Sequence, residues 1–342
     1  MKTVYLKTTE TCNLDCSHCY TSGSKGRKIF WDIEKVKTWI NKLVESLPKN
    51  ESVHFEIHGG EPFICKTSDL HDVIDFIRSY QRDFTVAITS NLVFNLTEDR
   101  LSVLSKLDGI GTSWDLKGRF ENEDQLNLWK NNVRLIKEKF PNIPFCCNTT
   151  ISTSVILLED ISSLIQMYLD LGFDRLRFEK ITLSGNAIIN RDVVPTNKQA
   201  NDFLYRLHLL LKDNPSIRDR LDITNMEEIY SKFENRLMNS GTYFRNCESN
   251  LYTINADGTI GGCPNDGPIT NYGNITEPIE KINKSDKRIF QIVKESTLYD
   301  ECYECPLNNY CGGGCYKLHW DETGCPTPKK LLFKIIEEGK TK

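Results

Sequence analysis

The chain has 342 residues, which is enough for one large α/β domain and a smaller second one. Apolar residues make up 39% and aromatic residues 10%, so a sizeable core is expected. The 43 basic and 47 acidic residues give a net charge of −4, which offers no electrostatic footprint for nucleic acid or an anionic membrane. No apolar run reaches membrane-spanning length, and the chain opens on a strand pattern rather than a signal peptide, so we expect a cytoplasmic protein.

Strand patterns alternate with helical patterns through the first half of the chain. Apolar residues at helical spacing predict helices over 32–47, 69–80, 122–139 and 157–171, with a further helix capped by Thr97. The strands are predicted over residues 3–8, 53–57, 84–89, 109–113, 144–151 and 174–181. Six strands, each followed by a helix, favour parallel βα units with right-handed crossovers. A full eight-unit barrel needs about 250 residues, and these six units occupy only about 200. The predicted fold class is therefore α/β, with a partial (β/α)6 TIM-like barrel.

The second half of the chain has a different character. Residues 196–240 are predicted to form a polar helical connector, and from residue 241 the pattern dissolves into short hairpins and loops that are rich in cysteine. We therefore expect a barrel over 1–195, a connector over 196–240 and a small cysteine-rich domain over 241–342. A segment with so few long elements needs cross-links or metal centres for stability.

The thirteen cysteines are distributed unevenly. Three lie within residues 12–19 and seven within residues 247–325, while Cys65, Cys146 and Cys147 stand apart and are expected to be small buried residues. The odd total and a reducing compartment argue against disulfides. The two groups therefore indicate metal sites.

The first group reads Cys12-Asn-Leu-Asp-Cys16-Ser-His-Cys19 and directly follows the first strand. Three thiols do not complete a four-ligand metal site, so either a zinc ion finds a fourth ligand such as His18 or an iron–sulfur cluster keeps one iron open. About forty residues further on, the second strand ends in His58-Gly-Gly-Glu61-Pro62, where two glycines permit close backbone approach to a ligand. The two motifs together resemble the radical S-adenosylmethionine (SAM) superfamily.

This resemblance implies a [4Fe–4S] cluster on Cys12, Cys16 and Cys19, with SAM bound to its open iron. It also implies that Gly59, Gly60 and Glu61 hold the methionine amino group. Ser113 and Asp115, after the fourth strand, match a Ser-x-Asp that contacts the ribose or the methionine part, and Arg119 matches an arginine directed at the methionine carboxylate. A solvated arginine in a surface turn is the alternative for Arg119. The remaining SAM contacts implied by the resemblance are His18, packed against the adenine, and Leu183, near the sixth strand.

The second group of cysteines has a more specific spacing. Cys247 is followed by Gly258 and Cys263, and then by the run Cys302-x2-Cys305-x5-Cys311-x3-Cys315 and a late Cys325. A pair of zinc ribbons is the alternative, since C-x2-C pairs usually bind zinc. The complete spacing resembles the SPASM extension of radical SAM enzymes.

The SPASM resemblance implies two auxiliary [4Fe–4S] clusters, for a total of three clusters in the chain. Cys302, Cys305, Cys311 and Cys325 would hold the distal cluster, and Cys247, Cys263 and Cys315 the cluster nearer to the barrel. Sulfatase-maturing relatives have one more cysteine shortly after the first, and residues 248–253 contain none. The near cluster is therefore expected to have an open iron or a non-cysteine ligand.

The implied activity is reductive cleavage of SAM to a 5′-deoxyadenosyl radical, hydrogen abstraction, and loss of an electron from the substrate radical to the near cluster. The expected outcome is a crosslink or desaturation in a peptide or protein side chain, with a flavodoxin- or ferredoxin-type electron donor. Because the chain starts at the first barrel strand, a separate leader-recognition protein or the enzyme surface itself would recruit the peptide.

Three alternatives remain open at this point. The first is a dehydrogenase or epimerase acting on a sugar or aminocyclitol. The second is formylglycine formation, which is disfavoured because Pro264 follows Cys263 where sulfatase-maturing enzymes place an aspartate base, and Asp266 is out of register. The third is a non-enzymatic iron–sulfur or zinc protein that binds partners and cleaves no SAM.

Overall fold

The computed structural model describes residues 1–233, 245–265 and 270–340 of the chain. The strands are β1 (Lys2–Lys7), β2 (Val53–His58), β3 (Phe84–Thr89), β4 (Gly109–Ser113), β5 (Phe145–Ile151), β6 (Arg175–Lys180), β7 (Asp222–Ile223), β8 (Leu251–Ile254), β9 (Thr259–Gly261) and β10 (Gly273–Asn274).

Helices follow the strands along the chain. In the first half they are α1 (Ile33–Ser46), α2 (Thr67–Arg78), α3 (Glu98–Leu104), α4 (Glu123–Lys139), α5 (Thr153–Ile156), α6 (Ile161–Asp170), α7 (Asn197–Asp213), α8 (Ser216–Arg220) and α9 (Thr224–Phe233). In the second half they are α10 (Cys247–Asn250), α11 (Ile279–Asn283), α12 (Asp286–Ser296), α13 (Asp300–Tyr303), α14 (Asn308–Cys311) and α15 (Lys329–Lys340). Within residues 1–233, 245–265 and 270–340, no helix combines the length and apolar character needed to cross a membrane.

All ten strands form one sheet in the order β10-β9-β8-β1-β2-β3-β4-β5-β6-β7. Strands β1 to β6 are sequential neighbours and pair in parallel. Strand β1 pairs with β2 on one side and with β8 on the other, so the six βα units form an open, partial barrel. The predicted fold class is confirmed, and each of the six predicted barrel strands lies within about a residue of its observed bounds.

Alternation along the strands separates the core from the polar face of the sheet. In β2 the three apolar residues are buried, while His54, Glu56 and His58 between them are partly exposed. Trp39 of α1 and Trp129 of α4 are fully buried in the layer between sheet and helices. Replacing such a tryptophan with alanine typically costs about 3–5 kcal/mol, so this layer fixes where the strand ends lie.

Two features of the fold differ from the sequence expectations. The predicted helix over 157–171 begins at Ile161, because the Asp160 side chain accepts from the backbone N–H groups of residues 162 and 163 and caps the helix there. The predicted helical connector contains β7, a two-residue strand that pairs in parallel with β6. Two residues are too few to give a strand periodicity in the sequence.

Candidate metal centres and cofactor site

The loop that carries Cys12, Cys16 and Cys19 leaves the carboxyl end of β1. Burial, with the negative charge of Glu61 adding to it, raises the pKa of Cys12 to about 11. Burial also raises the pKa of Cys16 to about 12, although the positive charge of Arg119 opposes the shift. Cys19 N donates to Cys16 O at 3.1 Å, so a tight turn holds these two residues near each other. The iron ions of a cluster bind thiolates, so cluster binding would deprotonate these thiols.

Each of these three sulfurs has a polar neighbour outside the three-cysteine motif. Cys12 Sγ accepts from Asn91 Nδ2 at 3.4 Å, and Cys16 Sγ lies 3.7 Å from Arg119 Nη1. Cys19 Sγ lies 3.3 Å from Thr21 Oγ1. Donors placed on cluster sulfurs stabilise the thiolate form and tune the reduction potential, so the surroundings fit an iron–sulfur centre.

The loop of Gly59 and Gly60 is hydrogen-bonded to the cysteine loop. Gly60 N donates to Thr9 O at 2.9 Å, and the next residue's N–H donates to Thr11 O at 3.0 Å. Gly59 has φ +145°, and a Cβ on Gly60 would lie 1.8 Å from Thr11 O. Both glycines are therefore required for the two loops to approach each other, as well as being the residues predicted to face SAM.

Glu61 lies fully buried behind this loop. Its carboxylate accepts from Phe63 N at 3.0 Å, Ser90 Oγ at 2.9 Å and Asn91 N at 2.7 Å. Burial raises the pKa of Glu61 to about 7, although these three donors oppose the shift. Glu61 thus links the ends of β2 and β3, and a methionine ammonium group would be a further partner for a carboxylate that is already bonded.

Asp115, Arg119 and His18 meet beside Cys16. Asp115 is fully buried and accepts from Arg119 Nε at 2.5 Å, while His18 Nε2 lies 3.4 Å from the same carboxylate oxygen. Burial alone would raise the pKa of Asp115, but Arg119 and His18 hold it below its usual value. The three predicted residues form one charged cluster, and Ser113 ends β4 two residues before it.

His18 also has an unused polar atom. Its Nδ1 is buried and has no hydrogen-bond partner among the described residues, and burial lowers the pKa of the imidazole. A bound ligand with a complementary polar group would satisfy this nitrogen. The atom therefore fits the predicted placement of His18 against SAM.

The loop after β6 holds the cysteine loop from the opposite side. Leu183 is partly exposed at its start, and a few residues later Asn186 N donates to Cys19 O at 2.7 Å. Asn186 Nδ2 donates to Asp15 Oδ1 and to Cys16 O, both at 2.9 Å. Sequence reasoning selected Leu183 but missed Asn186, Ser90 and Asn91; the available signal was a polar residue shortly after a barrel strand.

The four cysteines expected at the distal centre line one small cavity together with Trp320 and Thr327. They are Cys302, Cys305, Cys311 and Cys325. Asn201 of α7 brings the last of them into place by donating to Cys325 O at 3.3 Å and Thr327 O at 3.0 Å. The structure thus brings together the four thiols that the SPASM resemblance assigns to one cluster.

The three cysteines expected at the near centre lie between the barrel and α12. Burial raises the pKa of Cys247 to about 12, with further contributions from the charges of Glu295 and Cys315. Lys7 Nζ at the end of β1 donates to Pro264 O at 2.8 Å, which places the residue after Cys263 against the barrel. Asp266, the acid noted near Cys263, lies outside the described residues.

No three His, Cys, Asp or Glu side chains of the described ranges are arranged to hold a single metal ion. This geometry concerns one ion bound at one point, whereas the irons of an iron–sulfur cluster are each bound by their own thiolate. The cysteine groups described above are therefore candidate ligands of a multi-iron cluster and not of a single metal ion.

Comparison with known proteins gives the following matches. A family profile described as a 4Fe-4S single cluster domain matches residues 3–135. No curated protein matches the chain. The solved structure of anSMEcpe, an anaerobic sulfatase-maturating enzyme, with bound AdoMet and Cp18Cys peptide has a TM-score of 0.80 at 15% identity, covering 98% of this chain and 95% of that chain.

Streptococcus suis SuiB bound to its precursor peptide SuiA has a TM-score of 0.64 at 16% identity, covering 92% of this chain and 72% of that chain. SuiB bound to S-adenosylmethionine has a TM-score of 0.65 at 16% identity, covering 92% and 73%. The resemblance stated from the motifs is thereby confirmed: the chain has the fold of radical SAM enzymes that carry a SPASM extension.

Proposed function

We propose that this protein is a radical SAM oxidoreductase that modifies a peptide or protein side chain. The observation that carries the proposal is the hydrogen-bonded packing of the three-cysteine loop, at the carboxyl end of β1, against the Gly59–Gly60 loop. Three cysteines on a loop packed against a Gly-Gly loop support an iron–sulfur cluster with SAM chemistry. When bound there, the cluster and SAM supply reductive C–S cleavage and a 5′-deoxyadenosyl radical.

The protein's own residues would bind and orient these groups. Cys12, Cys16 and Cys19 would hold the cluster, and Gly59 and Gly60 would present backbone to the methionine part. His18 Nδ1 offers a buried polar atom to the nucleoside. The Asp115–Arg119 pair, with Ser113 two residues before it in the chain, gives the same region a fixed charge distribution.

A peptide substrate is supported by two structures of the same fold that contain peptides, anSMEcpe with Cp18Cys and SuiB with SuiA. Formylglycine formation is not proposed, because Pro264 has no side chain that could accept a proton at the position after Cys263. A flavodoxin- or ferredoxin-type donor and a separate leader-recognition protein are the partners that we propose with this substrate.

The two C-terminal sets of thiols support two auxiliary clusters, which makes three [4Fe–4S] clusters per chain. Full loading would then give about twelve irons per chain. We propose that the distal cluster binds Cys302, Cys305, Cys311 and Cys325, and the near cluster Cys247, Cys263 and Cys315.

The decisive experiment is anaerobic reconstitution with iron and sulfide, followed by dithionite and SAM and detection of 5′-deoxyadenosine. The wild-type protein should produce it, and Cys16→Ala should lose production by at least about a hundredfold. Cys65→Ala is the matched control, since this buried thiol contacts Thr8 O and lies outside the three-thiol motif. Equal production by Cys16→Ala and the control would refute the proposed function.

The substrate class is tested separately, by incubation with candidate peptides and with sugars or aminocyclitols. A loss of two hydrogens from a peptide, detected by mass spectrometry, would support the peptide assignment. The same change found only in a sugar or aminocyclitol would replace it with the dehydrogenase alternative.

A further inference from the structure

Glu248 has an unusual environment for a glutamate, because its side chain is fully buried in the cysteine-rich region. Tyr272 Oη donates to Glu248 Oε2 at 2.5 Å, and Tyr316 Oη donates to Oε1. Lys317 Nζ lies 3.4 Å from Oε1. Two hydroxyl donors and one cation are therefore the partners of this buried carboxylate.

The contacts of Glu248 reach all three segments that would carry the near cluster. Glu248 Oε2 lies so close to Gly262 that a Cβ on this glycine would be only 1.8 Å away. Tyr316, which donates to the other oxygen, lies on the third segment. Glu248, Gly262 and Tyr316 are each adjacent in the chain to one of the cysteines assigned to this cluster, namely Cys247, Cys263 and Cys315.

A second buried carboxylate holds the same turn from α12. Glu295 Oε1 accepts from Cys247 N at 2.8 Å, and its Oε2 accepts from Glu248 N at 3.0 Å. The backbone of α10 is thus fixed by Glu295, while the Glu248 side chain is left to connect α10 to the other two segments. Glu295 is only 2% exposed, so this anchor is also shielded from water.

We infer that Glu248 is a positioning residue of the near auxiliary cluster, which it serves by joining the three cysteine-bearing segments and by lowering the cluster's reduction potential through its charge. The inference rests on the proposed function, because it takes the near cluster as given. Reduction adds an electron to an anionic centre, and a buried carboxylate nearby disfavours that added charge.

The test uses the full-length protein with all clusters assembled anaerobically. Glu248→Gln keeps the shape of the side chain and removes its charge, and Glu280→Gln is the matched control on an exposed position of α11. The near cluster is identified as the electron paramagnetic resonance signal that a Cys263→Ser variant loses. Its reduction potential is then measured by redox titration, with iron content and circular dichroism recorded for each variant.

Glu248→Gln should favour the reduced near cluster about tenfold, which corresponds to a rise of about 59 mV for one electron. Tyr316→Phe retains the charge and removes one donor, so the potential should fall. Opposite shifts with unchanged circular dichroism would not result from a loss of folding. The control should match the wild-type protein.

Shifts of the same sign in both variants, or potentials equal to that of the control, would overturn the inference. A failure of the proposed function is recognised separately, because the wild-type protein would then form no 5′-deoxyadenosine from SAM. If the wild-type chain binds only about four irons, the auxiliary clusters do not exist and the inference is refuted together with them.

Discussion

Glu61→Gln tests whether burial raises the pKa of the carboxylate behind the Gly59–Gly60 loop. In the wild-type protein Glu61 accepts from Phe63 N, Ser90 Oγ and Asn91 N. A glutamine has only one oxygen, so its NH2 group must face one of the two backbone N–H groups. Leaving a buried donor without its acceptor costs about 1–3 kcal/mol.

Ionisation of the buried Glu61 carboxyl destabilises the wild-type protein, and this effect depends on pH. Burial raises the pKa of Glu61 to about 7, above the value of 4.5 expected in the unfolded chain. A raised pKa contributes stability that is present below the unfolded-state pKa and is lost as the pH rises through the folded-state pKa. The shift of about 2.5 pKa units corresponds to a loss of about 3 kcal/mol, which glutamine does not suffer.

The two effects together predict that the stability difference between the proteins closes as the pH rises. Near pH 4.5 the glutamine variant should be less stable by about 1–3 kcal/mol, and near pH 8 it should equal or exceed the wild-type protein. Anaerobic thermal unfolding of both proteins across this range measures the difference. A stability difference that stays constant from pH 4.5 to pH 8 would refute the raised pKa of Glu61.

Three further substitutions test the remaining contacts of the site. Asp115→Asn leaves the Arg119 guanidinium without its buried carboxylate and should destabilise the protein by about 3–5 kcal/mol, measured as a lower thermal midpoint. Gly60→Ala places a Cβ 1.8 Å from Thr11 O and should reduce 5′-deoxyadenosine formation at least about tenfold, measured after reconstitution. Asn186→Ala removes both side-chain hydrogen bonds to the cysteine loop, so it should lower the free energy of unfolding by about 2 kcal/mol and speed iron loss to a chelator.

Matched control substitutions separate these effects from a nonspecific loss of stability or activity. Asp108→Asn breaks a partly exposed pair with Arg78 and should cost at most about 1 kcal/mol. Gly339→Ala adds a Cβ where nothing lies within 4 Å, so it should leave activity unchanged. If Asp115→Asn were as mild as Asp108→Asn, or Gly60→Ala as active as Gly339→Ala, the contacts assigned to the site would be wrong.

The barrel could be predicted closely because its strands and helices are set by local periodicity. The helix over Glu123–Lys139, for example, was predicted with a start one residue earlier, and Asn122 caps it in the structure. The two-residue strand β7 could not be predicted, because it exists only through its pairing with β6. The three-cysteine motif and the Gly-Gly-Glu motif were likewise predicted from short spacings, which are local features of the chain.

The residues that support the site were not accessible in the same way. Asn186 contacts Cys16 across 170 positions of sequence, and Glu248 contacts Tyr316 across 68. The local pattern gives Asn186 only a weak signal, its position shortly after a barrel strand, and it gives Glu248 none. Only the pairing of the strands, which brings distant loops to one edge of the sheet, gives these side chains their partners.

The parallel pairing of β8 with β1 has a consequence for how the chain can be divided. Residues Thr3 to Leu6 use one edge of β1 for β2 and the other for Leu251 to Ile254. A fragment that ended before β8 would expose a row of unpaired N–H and C=O groups along β1, directly before the three-thiol loop. Such an edge invites pairing with a second chain, so the barrel is expected to aggregate when it is separated from the cysteine-rich region. We therefore expect the barrel and the cysteine-rich region to fold together.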